Sequence, residues 1–267
     1  MNNLIKTEWL KIKNYRAFWW MTGLVALSYP GINYLFHFVY QQQLKDEKMG
    51  PLLKMINNPF TFPDVWQTVA FLSSWFIFIP SIVVIMFITN EYTYKTHRQN
   101  IIDGWSRNQF IAAKLIDVLI ISILITVVYT IVALIIGFLN DDSVSNVWKG
   151  SSYIPLFFLQ TFSQLSIAFL IAFLSRKAFV ALGIFLFYFI ILEPVAVGLF
   201  REFANDLGRF LPLEISDRLI PIPRFLIGDE ATWKKLTDQS DTHIIYTIIL
   251  LVLTWAVCFR LNKRRDL

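Results

Sequence analysis

Residues 115–139 read LIDVLIISILITVVYTIVALIIGFL, and this stretch decides the fold class of the chain. Its 25 residues include one charged side chain, that of Asp117. Because a helix rises about 1.5 Å per residue, about 20 apolar residues cross the roughly 30 Å hydrocarbon core of a bilayer. The stretch therefore predicts a transmembrane helix.

Comparable apolar stretches recur along the whole sequence. Of the 267 residues, 56% are hydrophobic and only 16% are charged. In soluble domains about a quarter of the residues are charged. The sequence therefore predicts an all-α polytopic membrane protein that forms a single transmembrane domain over residues 1–267. We expect six spans, at about residues 17–40, 67–89, 115–139, 154–174, 178–200 and 243–259.

The distribution of charge gives the expected orientation of these spans. Fourteen basic and four acidic residues fall in segments 1–16, 90–114, 175–177 and 260–267. Ten basic and 13 acidic residues fall in segments 41–66, 140–153 and 201–242. Because Lys and Arg are retained on the cytoplasmic side, both termini are expected in the cytoplasm. The membrane thus explains the net charge of +5, and we expect no nucleic-acid partner.

Two segments outside the spans are expected to contact membrane lipids. Residues 4–16 have the pattern of an amphipathic helix lying along the inner leaflet. The candidate interfacial residues of this helix are Trp9, Lys11, Lys13 and Arg16. Segment 201–242 combines apolar residues with three prolines, which predicts short outer helices between spans five and six.

Motifs for catalysis and metal binding are missing from the sequence. There is no phosphate-binding P-loop, no H-E-x-x-H and no G-x-S-x-G. The three histidines fall in different segments, and the one cysteine, Cys258, excludes an intramolecular disulfide. We therefore expect no catalytic residue, no metal and no enzymatic activity in this chain.

Two acidic residues lie within predicted spans, where ionisable groups are costly. Asp117 follows Lys114 by three residues, a spacing at which helical side chains form ion pairs. Glu193 is followed by Pro194 near the outer end of span five. It either marks a kink or the end of that helix or acts as an ion-coupling carboxylate.

Span two contains a strip of polar side chains, namely Gln67, Ser73, Ser74 and Ser81. Such residues either form hydrogen bonds between helices or line a path through the membrane. Ser73, Ser74 and Glu193 are accordingly our candidates for a pathway or gate. Trp66 and Trp75, near the start of the same span, are expected to be interfacial anchors.

The loop between spans two and three is polar but has apolar residues at helical spacing. We expect one or two short helices there, broken at Gly104 and with Ser106 capping the second. This loop, ITNEYTYKTHRQNIIDGWSRNQF at residues 88–110, resembles the first cytoplasmic loop of ABC-2 type permeases, the membrane subunits of ATP-binding-cassette exporters. The segment LIKTEWLKIKNYRAFW at residues 4–19 resembles the interfacial helix at the start of those permeases.

The resemblance implies a partner ATPase that binds ATP and Mg, while this chain binds no cofactor. It also implies that the cytoplasmic loop contains a coupling helix that docks on the ATPase, with an acidic residue after span two and a G-x-S-R-x-x-F motif at the start of span three. The loop residues matched to this role are Glu91, Arg98, Ile101, Ile102, Asp103, Gly104, Trp105, Arg107 and Phe110.

The function that the resemblance implies is that of an ABC exporter permease in a bacterial cytoplasmic (inner) membrane, working as a homodimer or as a heterodimer with a second permease. Two alternatives remain open. The chain either transmits force to an outer partner without a pore, or is an ion-coupled secondary transporter. The apolar and aromatic composition favours lipids, hydrophobic drugs or peptides as substrates over a small hydrophilic ion.

Overall fold

The computed structural model describes residue 10 and residues 13–47, 50–53, 58–102, 104–141, 146–203, 206–227, 230–237 and 240–264. These residues form helices and contain no strand. The long helices are α1 (Arg16–Leu44), α3 (Val65–Ser74), α4 (Phe78–Thr93), α6 (Arg107–Asn140), α7 (Tyr153–Ser175), α8 (Ala178–Phe187), α9 (Glu193–Phe203) and α13 (Ser240–Arg264). The short helices are α2 (Gly50–Leu53), α5 (Thr96–Ile102), α10 (Pro212–Asp217), α11 (Arg224–Ile227) and α12 (Glu230–Thr237). A π-helical turn, Tyr188–Leu192, joins α8 to α9, and a 3₁₀ turn, Leu207–Phe210, follows α9.

When α3 with α4 and α8 with α9 are each taken as one interrupted helix, the long helices run alternately up and down, so that their ends gather in two groups. At one end, the start of α1 contacts the end of α4, and the start of α6 contacts the end of α13. We call this the basic end, because it contains segments 90–102 and 175–177 of the predicted basic side. At the opposite, acidic end, the end of α1 contacts the end of α6, and α10 contacts the start of α13.

Four helical segments are long and apolar enough to cross a membrane: Arg107–Asn140, Tyr153–Ser175, Ala178–Phe203 and Asp241–Lys263. A bent pair, α3 with α4, makes a fifth if the two helices form one span. The remaining predicted span, residues 17–40, forms α1, whose 29 residues are long enough but include no stretch of 18 residues as apolar as those of the four segments. The chain is thus a multi-pass helical membrane protein, and the sixth span stays a prediction.

Two predicted spans are not the straight helices that the sequence indicated. The second is bent by 48° between Ser74 and Phe78. Pro80 has no N–H to donate to the carbonyl of residue 76, which weakens the helix at the bend. The fifth contains the π turn, and Pro194 likewise leaves the carbonyl of residue 190 in that turn without its helical donor. The bend lies nearer the acidic end of its span, and the π turn lies near the middle of its own.

The interior of the bundle contains aromatic residues as well as aliphatic ones. Trp66 is fully buried, and its indole N–H donates to the carbonyl of Val147 at 2.7 Å. The prediction that Trp66 is an interfacial anchor is therefore wrong, because this contact and the Tyr129 hydroxyl bond to the Trp66 carbonyl hold it in the core. Trp75 is half exposed, as an interfacial residue would be.

Candidate functional site

A buried group of three charged side chains lies at the basic end of the bundle. The ammonium group of Lys114 lies 2.7 Å from Oε1 of Glu91 and 3.1 Å from Oδ2 of Asp117. The Lys114 side chain is fully buried, and its Nζ also lies 4.8 Å from the centre of the Phe87 ring. We call Glu91, Lys114 and Asp117 the ion triad. The predicted pairing of Lys114 with Asp117 is confirmed, and Glu91 adds α4 to it.

The short helix α5 is fastened to this triad through the backbone of Glu91. The Nδ1 atom of His97 lies 3.1 Å from the Glu91 carbonyl oxygen, and the His97 ring packs 4.7 Å from the Tyr92 ring. Two left-handed residues, Lys95 and Gly104, flank the helix. Gly104, at φ +99°, lies at the predicted break in the loop, where a residue without a β-carbon adopts this φ without strain.

The start of α6 is capped as the sequence predicted. The Ser106 hydroxyl accepts the backbone N–H of Gln109, and the Gln109 side chain accepts the N–H of Ser106 in return. This reciprocal capping box fixes where the helix begins. The helix it caps is not a separate short one, however, because α6 continues without interruption to Asn140.

The residues predicted for ATPase docking fall into three groups. Arg98, Ile102 and Gly104 are exposed, and Ile102 keeps 77% of its surface. Ile101, Trp105 and Arg107 are half-buried, and Arg107 donates to the carbonyl of Lys263 at 3.0 Å. Glu91 and Phe110 are buried, so they support the loop from within. Asp103 lies outside the described residues.

The predicted interfacial helix is described only in part. Trp9 and Lys11 lie outside the described residues. Lys13 is exposed, and its carbonyl accepts the indole N–H of Trp19 at 2.8 Å. Arg16 is exposed at the first turn of α1, which places both basic residues at the basic end of the bundle.

A cavity of about 470 Å³ lies toward the acidic end and brings together two of the three predicted gate residues. Ser74 and Glu193 line it, together with Phe71, Trp75, Gln160, Phe189, Pro194, Val197, Leu213, Glu214 and Asp217. The third gate candidate, Ser73, is buried elsewhere and accepts a 3.3 Å hydrogen bond from Asn33. The cavity lies where the bend after α3, the π turn and α10 meet.

Glu193 is buried beside this cavity. Its Oε1 accepts the backbone N–H groups of Leu213 and Glu214, each at 2.7 Å. Glu193 therefore caps the start of α10 and ties α9 to the segment after it. Its other carboxylate oxygen, Oε2, has no hydrogen-bond partner of normal geometry, and the Tyr188 hydroxyl lies near the carboxylate.

Asp217 occupies the opposite end of α10 and opens on the cavity. Its Oδ1 accepts the side-chain amides of Gln160 at 2.8 Å and Gln164 at 2.6 Å. The surrounding protein desolvates the carboxylate and raises the pKa of Asp217 to about 7, while the two amides oppose that rise. Nearby Glu214 and Glu193 raise this pKa further.

Arg218 neutralises two other acids next to the cavity. It forms two hydrogen bonds with Asp206, at 2.7 and 2.8 Å, and a 2.7 Å bond with Glu214. The hydrogen bonds from Arg218 hold the pKa of Asp206 below its usual value. Among the described residues, no group of three or more His, Cys, Asp or Glu side chains is placed to hold a metal ion.

Comparison with protein families gives a match over most of the chain. The family described as ABC-2 family transporter protein matches residues 4–192, which is more than half of the chain. The chain belongs to the ABC-2 family of transporter proteins. A comparison with curated proteins gives no match. The three acidic residues that line the cavity of this ABC-2 protein, Glu193, Glu214 and Asp217, lie beyond the matched segment.

Gln160, Glu214 and Asp217 were not among the residues predicted for a site in this ABC-2 protein. One signal was available: Gln160 and Gln164 lie four residues apart, so they share one face of a predominantly apolar helix. Asp217 is 53 residues away from Gln164 in the sequence, and only the packing of α10 against α7 brings them together.

Proposed function

We propose that this ABC-2 protein is the permease subunit of an ABC exporter in a bacterial cytoplasmic membrane. A separate ATPase subunit binds ATP and Mg and docks on α5, and this chain contributes no catalytic residue. The exporter contains two permease subunits, identical or paralogous. The observation that carries the proposal is that α5 presents an exposed face while its base is joined to the buried ion triad.

The contacts of α5 make it suited to transmit force. Its outer face offers an apolar side chain, Ile102, and a basic one, Arg98. Such a pair allows an apolar contact with a partner while charge sets the register. Movement of α5 reaches α4 directly through the Glu91 backbone and α6 through the Glu91–Lys114 ion pair. ATP-driven closure of two ATPase subunits would thereby reorient the spans between an inward and an outward state.

The docking proposal is tested by purifying the tagged permease in mild detergent from cells that contain its ATPase. We expect Ile102→Glu and Arg98→Glu each to reduce the ATPase recovered by about tenfold or more, the scale of loss expected when an interface anchor is removed. Arg224→Glu is the matched control, because Arg224 is an exposed arginine at the acidic end. Equal recovery of the ATPase with all three variants would refute docking on α5.

The proposed topology has six spans with both termini in the cytoplasm, and α1 is the sixth. Its exposed apolar residues, which include Trp20, Leu27 and Tyr34, support a membrane-embedded helix. Cysteine labelling tests which loops face the outside of the cell. The native Cys258 is buried, so an introduced cysteine should provide the signal. An impermeant maleimide applied to intact cells should label Lys149→Cys but not Lys13→Cys. The reverse pattern, or labelling of both, would contradict the topology.

A further inference from the structure

We infer that the cavity between Trp75, Glu193 and Asp217 is a binding site for a cationic amphiphile, a molecule with a primary ammonium group on an apolar body. This inference rests on the proposed function, to which it adds the substrate class. The cavity volume of about 470 Å³ lies in the usual range for small-ligand pockets, about 300–1,000 Å³.

The charges around the cavity are of one sign. Three acidic residues line it, and none of its lining residues is Lys, Arg or His. Of these acids, Glu214 is paired with Arg218. Glu193 accepts backbone amides and Asp217 accepts side-chain amides, so in the described part of the chain neither carboxylate has a close cation. A neighbouring cavity of about 230 Å³ shares Glu214 and Asp217 with the larger one, and Arg201 and Arg218 line that smaller cavity.

The hydrogen-bonding groups left over at the cavity point to the same ligand. Oε1 of Gln160 has no hydrogen-bond partner, and Oε2 of Glu193 has none of normal geometry, although the Tyr188 hydroxyl lies near that carboxylate; both residues are at least 97% buried. Both atoms are acceptors, so the cavity lacks donors rather than acceptors. A primary ammonium group supplies three donors and one positive charge, which matches the oxygens of Gln160 and Glu193 and the carboxylate of Asp217.

The remaining wall suits an apolar body. Phe71, Trp75 and Phe189 line the cavity, and none of them carries a charge. Aromatic side chains bind apolar groups through their large surface and attract a cation over the ring face. The two ends of the site therefore differ, with acceptors and carboxylates from α7, α9 and α10 on one side and aromatic rings from α3, the bend and the π turn on the other.

The backbone around the cavity is irregular in a way that suits a binding site. The bend after α3 and the π turn before α9 interrupt two spans at the same depth as the cavity. Interrupted helices and π turns within membrane spans are frequent at ligand sites, because they free backbone groups and open space between helices. Each interruption also contributes one side chain to the cavity wall. Trp75 lies at the bend, and Phe189 lies in the π turn.

Binding can be measured on the full chain alone, in nanodiscs of zwitterionic lipid. Dansylcadaverine is the probe, because it joins a primary ammonium group to a fluorescent aromatic ring. We expect saturable binding that N-acetyl-dansylcadaverine, which lacks the charge, does not show. Asp217→Asn and Glu193→Gln should each weaken binding by about tenfold, the scale of losing one charge-assisted contact. Glu230→Gln, an exposed acid at the same end, should leave binding unchanged.

Equal binding of the acetylated probe, absence of saturable binding, or unchanged affinity in both cavity variants would each overturn the inference. Glu193 also caps α10, so monodispersity and thermal unfolding are recorded for every variant. If Glu193→Gln does not fold, Asp217→Asn and the acetylated probe decide the outcome. No ATPase is present in this experiment, so its failure leaves copurification through α5 unaffected, and failed copurification leaves the binding result unaffected.

Discussion

At the basic end of the bundle Lys114 lies between two carboxylates, whereas at the acidic end Glu193 and Asp217 receive only uncharged donors. The triad and Glu193 are buried, whereas Asp217 is exposed toward the cavity, and both groups join helices that are distant in sequence. They differ in whether the chain itself supplies a cation that neutralises the carboxylates. The ion triad contains its own cation, while the acidic group borders a cavity of about 470 Å³.

This difference indicates two different roles. A buried carboxylate is stable when a cation or several hydrogen bonds offset its desolvation. The triad meets this condition within the chain, so it suits a fixed joint that passes movement from α5 to α4 and α6. In the acidic group Glu193 and Asp217 have only uncharged donors, so it suits a site that a cation from outside completes.

The largest effect is expected from removing the cation of the triad. Lys114→Met leaves Glu91 and Asp117 buried together without a cation, and we expect it to lower the free energy of unfolding by about 3–5 kcal/mol. Unfolding in mixed detergent micelles measures this loss. Lys149→Met is the matched control, because Lys149 is exposed.

A second variant separates the loss of an ion pair from the loss of packing. The triple variant Glu91→Leu, Lys114→Met, Asp117→Leu removes every charge of the triad at once. Since apolar replacements of a whole buried ion network are often neutral, we expect it to recover most of the lost stability. If Lys114→Met alone costs less than about 1 kcal/mol, the triad is not a buried joint of the kind described.

A smaller effect should distinguish the two carboxylates of the triad. Glu91 lies closer to Lys114 than Asp117 does, at 2.7 Å against 3.1 Å, and it alone joins two helices. We expect Glu91→Gln to cost about 2 kcal/mol and Asp117→Asn about 1 kcal/mol, since each leaves one charged partner in place. The same unfolding measurement decides, and a larger cost for Asp117→Asn would contradict this order.

Local features of the basic end could be predicted from the sequence because they depend on near neighbours. The Ser106 cap and the break at Gly104 follow from side-chain chemistry within a few residues. The pairing of Lys114 with Asp117 follows from helical spacing alone. That Glu91 completes the triad could not be predicted, because it requires the packing of α4 against α6.

The acidic end was less predictable for the same physical reason. Its parts come from positions as distant as Phe71 and Asp217, and an amphipathic pattern gives no information on which faces meet. The bend after α3 and the π turn interrupt stretches that remain apolar throughout, so hydropathy alone predicts continuous spans. Glu193 was marked as a candidate only because acids are rare in spans, and its role as the cap of α10 depends on tertiary contacts.

The smallest effect concerns the pH dependence of stability at Asp217. The pKa of this carboxyl is about 7 in the folded protein, against an ordinary value of 3.8. Between these values the unfolded chain releases a proton that the folded chain keeps, so stability falls as pH rises from about 4 to 7. Asp217→Asn removes this loss, and because the side chain opens on the cavity the gain at pH 8 should not exceed about 1 kcal/mol.

Replacing a carboxylate by an amide should change the stability at pH 8 in opposite directions at the two ends of the bundle. At pH 8 Asp217→Asn should be as stable as the wild type or slightly more so, while Glu91→Gln should be less stable, because only Glu91 has a cation to lose. Glu214→Gln is the control at the acidic end, since it removes a carboxylate that Arg218 does neutralise and should therefore destabilise the protein. A loss of stability for Asp217→Asn as large as that for Glu214→Gln would mean that Asp217 is balanced within the chain after all. The acidic cavity would then need no cation from outside, and the contrast between the two ends would disappear.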